Sequence, residues 1–317
     1  MSAPDSGWLA ATGFPKQEHH RYNDQSSLQD VNVYLPRPLP PPHEAASGYW
    51  VIYIHGGAWR DPKILAPSFE PTYNVLRSSS VSDAIVGYAS INYRLTAHPN
   101  FPQDPASKDD MDYRNAKHPD HIHDVQRALA FLQSQYAIGT RYILVGHSCG
   151  ATLAFQTVMK GLVFDDDDEE EAQRIPQPVG IVGVSGIYNL RLLRDTFPSC
   201  AVYQEFIEAA FGSDEEVWDS VSPTHKDGLG CGWKQGRLAL IAHSQGDELV
   251  DVSQLHAMEQ ALGVWKANAP ENMTRDVIVI DDLREAHDDI WSKGLELARV
   301  VEVAIKCLTQ MRVSTPP

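Results

Sequence analysis

Basic residues are the scarce class in this chain. Lysine and arginine number 26 against 42 acidic residues in 317, a formal net charge of −16. A nucleic acid or an anionic membrane surface needs a basic face, so neither is an expected partner. Cysteine is scarce too, and Cys149, Cys200, Cys231 and Cys307 lie far apart with no CxxC pair. That spacing argues against a zinc site and against a dense disulfide framework. No apolar run comes near the roughly 18 residues of a membrane span. Met1 to Lys16 shows no basic-then-apolar leader pattern, which makes the cytoplasm the expected compartment. No internal repeat is visible.

What is present is the composition of an ordinary globular protein, 43% hydrophobic and 21% charged, long enough to bury a large core. The first 45 residues are polar and proline-rich, with a stiff connection over Leu35-Pro-Arg-Pro-Leu-Pro-Pro-Pro42 and a first strand over 28–34. Short apolar runs follow at 49–54, 84–93, 142–145, 179–184, 238–242 and 277–280, the pattern of strands covered on both faces. Helical spacing fills 120–136, 150–162, 252–262 and 287–308. Alternation of this kind predicts an α/β fold with a mostly parallel sheet. Asp165 to Glu171 is an unbroken acidic run, expected as a solvated surface loop. Residues 189–236 form an insertion between two strands, with a helix over 201–211, expected to lie across the site like a lid. Residues 46–317 are expected to be one catalytic domain.

Val145-Gly-His-Ser-Cys-Gly-Ala151 places a G-x-S-x-G pentapeptide between a strand and a helix, the context in which such a serine becomes an exposed nucleophile. Ser148 is therefore the candidate nucleophile. Upstream, His55-Gly56-Gly57-Ala58-Trp59 follows another strand, and its glycines can turn backbone N–H groups toward an anion. Gly57, Ala58 and Cys149 are the candidate oxyanion donors. Asp247 sits where a strand ends, ahead of Glu248 and Asp251 as candidate acid. Ser244, in a look-alike pentapeptide without the first glycine, is rejected as nucleophile. His287 follows the last strand, unlike His225, His243 and His256. The chain order Ser148, Asp247, His287 is that of the α/β-hydrolase fold. Serine-hydrolase chemistry of this kind requires no metal or organic cofactor, and none is expected. Trp59, beside the oxyanion donors, is weighed between stacking on the substrate and anchoring the loop.

Two resemblances add to this reading. Ile91-Asn-Tyr-Arg-Leu95, Asn100-Phe-Pro-Gln103 and His123-Asp124 resemble a stretch of the hormone-sensitive-lipase-like esterases, which implies that these elements secure the oxyanion loop and that Asp124 is structural. The stretch between Phe101 and Asp120 is longer and more charged than in that group. More specifically, His55-Gly-Gly-Ala-Trp59, Gly146-His-Ser-Cys-Gly-Ala151, Ser185-Gly-Ile-Tyr-Asn-Leu190, Asp247 and Glu285-Ala-His-Asp-Asp-Ile-Trp291 resemble the kynurenine formamidases of fungal type. The resemblance spans roughly Val31 to Leu308. It implies a small-molecule substrate, N-formyl-L-kynurenine, hydrolysed to L-kynurenine and formate in tryptophan catabolism toward NAD. Two alternatives stand beside it: a general carboxylesterase on aryl or short acyl esters, and a catalytically silent hydrolase fold that only binds. Whether the chain works as a monomer or a homodimer is left open.

Overall fold

The computed structural model describes residues 14–39, 48–106, 109–162, 175–226 and 228–313. The acidic run and the last three prolines of the proline-rich segment lie outside the described residues. The strands are β1 (Lys16–Arg21), β2 (Asp30–Leu35), β3 (Tyr49–Ile54), β4 (Ile85–Ile91), β5 (Tyr142–His147), β6 (Gly180–Val184), β7 (Leu238–Ser244) and β8 (Asp276–Leu283). They form an eight-stranded sheet in the order β1-β2-β4-β3-β5-β6-β7-β8. The pairs β1–β2 and β2–β4 are antiparallel, and every later pair is parallel.

The centre of the sheet is buried on both faces because its strands carry apolar side chains at every step. Along β3, Trp50, Ile52 and Ile54 enter one hydrophobic cluster while Val51 and Tyr53 enter the other, the alternation a pleated strand imposes. The helices Asp120–Tyr136 and Cys149–Gln156 carry buried apolar residues of the first cluster, and helix Leu295–Val313 supplies the second. In the insertion, helices Leu190–Thr196, Ala201–Phe211, Glu215–Val221 and Gly228–Gly232 lie between β6 and β7. The second of these buries Tyr203, Phe206, Ile207, Ala210 and Phe211, an amphipathic stripe at helical spacing.

Three expectations change. The proline-rich segment contributes two strands rather than one. Lys-Gln-Glu-His-His-Arg of β1 has no apolar alternation because it is an edge strand, half exposed and held by backbone pairing to β2. Its Glu18 accepts a hydrogen bond from the Tyr136 hydroxyl at 2.5 Å. The helix after Ser148 is shorter than the spacing suggested, Cys149–Gln156. The final helix is two, His287–Lys293 and Leu295–Val313, divided at Gly294. That residue is left-handed (φ +72°), and a Cβ there would stand 2.4 Å from the amide nitrogen of Thr72. Hydrophobic spacing cannot register such a break, since both segments face the same core.

Candidate active site

Parallel strands bring their carboxyl ends to one edge, and in α/β sheets ligands gather there. His55 follows β3, Ser148 follows β5, Asp247 follows β7 and His287 follows β8. Ser148 has φ 55° and ψ −125°, a conformation that costs a residue with a side chain about 1–3 kcal/mol. The turn exists because its flanks are glycine. A Cβ on Gly146 would meet the carbonyl oxygen of Gly150 at 2.3 Å, and one on Gly150 would meet that of Ile54 at 2.1 Å. The Ser148 amide is held by the Val184 carbonyl at 3.0 Å.

Opposite it, His287 Nδ1 and Asp247 Oδ2 are 2.8 Å apart. The other Asp247 oxygen accepts the amides of Leu249 at 3.0 Å and Val250 at 2.9 Å. Burial alone would push this carboxyl up, but the His287 hydrogen bond and charge, with the Val250 amide, outweigh it and bring Asp247 down to about 2. The two rival acids are spent elsewhere. Glu248 accepts the backbone amide of His287 at 3.1 Å, at the start of helix His287–Lys293, and Asp251 accepts that of Ser253 at 2.9 Å. Ser244 is buried and donates to the Glu285 carbonyl at 2.5 Å.

Ser148 and His287 border one cavity of about 240 Å³, together with Gly57 and Ala58. No direct hydrogen bond joins Ser148 and His287, and contacts of this type commonly tighten only around substrate. Ile64, Ile187, Leu193, Val202, Tyr203, Phe206, Leu249 and Val250 supply the apolar walls. Four of these eight come from the insertion, whose spacing marked a helix but not which side chains would face the site. His147, likewise missed, packs its ring 4.5 Å from that of His287. Burial and the neighbouring His287 hold His147 in its neutral form, well below the usual histidine range.

The loop after β3 is pinned from three sides. Gly57, Ala58 and Trp59 have φ of 93°, 49° and 59°, consecutive left-handed residues that turn successive amides to one side. Behind them, the Tyr93 hydroxyl donates to the carbonyls of His55 at 3.0 Å and Gly56 at 3.2 Å. The His55 ring stacks on Tyr93 at 4.3 Å, and burial pushes it down to about 4. The Trp59 amide donates to Cys149 Sγ at 3.3 Å. That thiol is fully buried, and burial pushes it up to about 11, so Cys149 is a protonated wedge rather than a redox group. Asp124, expected to be structural, is fully buried and accepts from Arg94 Nε at 2.8 Å and Gln29 Nε2 at 2.7 Å.

Trp59 does not face the cavity. It is completely buried, edge-on to Phe211 at 5.0 Å and tilted against Phe206 at 6.1 Å. The stacking role weighed for it as a substrate-pocket residue therefore gives way to the anchoring one: the indole fastens the loop to helix Ala201–Phe211. The residue type was legible but its direction was not, because three left-handed residues rotate the side chain behind the loop. Trp59→Leu is expected to lower kcat by the same factor on an aryl formamide and on p-nitrophenyl acetate. It should also destabilise the protein by roughly 2 kcal/mol. Parallel kinetics with thermal unfolding check both, and a loss confined to the larger substrate would contradict the anchoring role.

The sheet order and the residues gathered at its carboxyl edge define an α/β-hydrolase. Among solved structures the chain is similar to esterase 2 of Thermogutta terrifontis in its apo form, with a TM-score of 0.60, 16% identity and 96% and 97% of the two chains covered. It is also similar to esterase B of Lactobacillus rhamnosis, with a TM-score of 0.59, 16% identity and 94% and 88% covered. No family model matches. In sequence it is 40% identical over 294 residues to the kynurenine formamidase-like hydrolase fscH of Fusarium equiseti, covering 92% of this chain and 94% of that one. It is 36% identical over 265 residues to the kynurenine formamidase avaC of Aspergillus versicolor, covering 77% and 84%. The chain belongs to the kynurenine formamidase family.

Proposed function

We propose that this chain hydrolyses N-formyl-L-kynurenine to L-kynurenine and formate, a step of tryptophan catabolism toward NAD, with Ser148, His287 and Asp247 as its catalytic triad. The observation that carries the reading is the His287–Asp247 hydrogen bond of 2.8 Å at the wall of the cavity that Ser148 also borders. Ser148 Oγ attacks the formyl carbon as His287 Nε2 takes its proton, and Asp247 holds the ring with Nδ1–H toward itself. The amides of Gly57, Ala58 and Cys149 receive the oxyanion, each donor contributing about 3–4 kcal/mol in comparable sites. His287 returns the proton to the aniline nitrogen as the C–N bond breaks. Water, deprotonated by the same imidazole, then releases formate from the formyl-serine. An aryl amine leaves more easily than an alkyl amine, so an esterase-like site suffices for this amide.

Purified protein is expected to release formate from N-formyl-L-kynurenine with a kcat/KM at least about 100-fold above that for p-nitrophenyl acetate, a margin of roughly 2.7 kcal/mol. A coupled formate assay beside the chromogenic ester measures the ratio. Ester turnover without formate release would return the chain to the general carboxylesterases, and labelling failure with a fluorophosphonate would make it a silent fold.

A further inference from the structure

The cavity has one strong cation among its lining residues. Arg60 stands on the wall next to Ala58, with Asp61 and Asp288 nearby and no lysine or second arginine. It is 5% exposed, and so nearly buried an arginine is expected to be paired on more than one edge. Only Nη1 is: it donates to Glu205 Oε1 at 2.8 Å, while the guanidinium lies 5.6 Å from the centre of the Phe206 ring. Nε and Nη2 make no hydrogen bond to protein among the described residues, and neither is sealed away from solvent. The fork that binds carboxylates two bonds at a time is therefore held by Glu205 and Phe206 with one edge unspent.

We infer that Arg60 is the specificity-determining residue that reads the α-carboxylate of an amino-acid substrate. The inference rests on the proposed function, whose substrate carries a carboxylate at the end remote from the formyl group. It also answers an electrostatic problem. The substrate is a zwitterion, and the two aspartates at the cavity favour its α-ammonium but not its α-carboxylate, so the carboxylate end is held only where a fixed cation faces it. His98, which also lines the cavity, does not supply that cation, since burial and the adjacent Arg60 lower its pKa. The rival account makes Arg60 a latch, joining the oxyanion loop to helix Ala201–Phe211 through Glu205.

The test compares N-formyl-L-kynurenine with N-formylkynurenamine, which has the same aryl formamide and side-chain ketone but no carboxylate. Wild type is expected to favour the carboxylate-bearing substrate by about 10- to 100-fold in kcat/KM. In Arg60→Gln that preference should vanish through a raised KM for N-formyl-L-kynurenine, with kcat and the kynurenamine rate little changed. Glu205→Gln, which removes the latch and keeps the guanidinium, should retain the preference. The preference is a ratio within each variant, so partial misfolding does not disturb it. Equal losses on both substrates in Arg60→Gln and in Glu205→Gln would establish the latch and overturn the assignment, as would an unchanged preference in Arg60→Gln. Wild type that cleaves p-nitrophenyl acetate but neither formamide would instead sink the formamidase reading, and the carboxylate assignment with it.

Discussion

Ser148→Ala is expected to lower kcat by about four to six orders of magnitude while the protein stays folded. Alanine keeps the Cβ that the turn already accommodates, so the backbone at φ 55° and the Val184 hydrogen bond are unaffected. Only the attacking oxygen goes. The residual rate should be that of water attacking a formyl group still seated against the oxyanion donors, and it should show no burst of formyl-enzyme. Single-turnover formate release and thermal unfolding on the same preparation measure both halves. Turnover near the wild-type rate at unchanged stability would remove Ser148 from the reaction.

The second large effect is expected at Asp247→Asn. The amide is isosteric and can still contact His287 Nδ1, but it can offer N–H where the imidazole needs an acceptor, and so favours the wrong tautomer. A fall in kcat of about 10⁴-fold is expected, with KM nearly unchanged. The pH dependence has a definite sign. Asp247 is depressed from an ordinary 3.8 to about 2, so its ionised form stabilises the fold above the ordinary carboxylate range. That contribution, roughly 2 kcal/mol, is lost as the pH falls from about 4 through 2. Between pH 5 and 8 Asp247 stays ionised, so acid loss of activity in that range belongs to another group. Acid titration of stability for wild type and variant checks this: the difference between them should shrink below pH 4 and be flat above pH 5.

How much of this was legible in the sequence follows from what burial does to residue choice. Strands covered on both faces must be apolar throughout, so β3 to β7 stood out. β1 lies at an edge and is satisfied by backbone pairing, so its polar residues carried no periodic signal. The triad candidates were legible because each follows a strand, and parallel topology sends all such positions to one edge. The cavity walls were not. Tyr203 and Phe206 sit in an insertion whose own spacing says only that it is a helix. Which way that helix faces is a tertiary fact. Trp59 was noticed for the right neighbourhood, but its side-chain direction depends on the left-handed run of Gly57, Ala58 and Trp59.

The contact of Trp59 with Phe206 and Phe211 makes the loop after β3 and the insertion mechanically one part. Exchange of residues 189–236 for the corresponding segment of another hydrolase would leave the indole without its seat and loosen the loop carrying Gly57 and Ala58. Chimeras in this fold should therefore recover activity only when position 59 travels with the insertion. Substrate range and catalytic power are inherited together along that seam, and selection for a new substrate will change both at once.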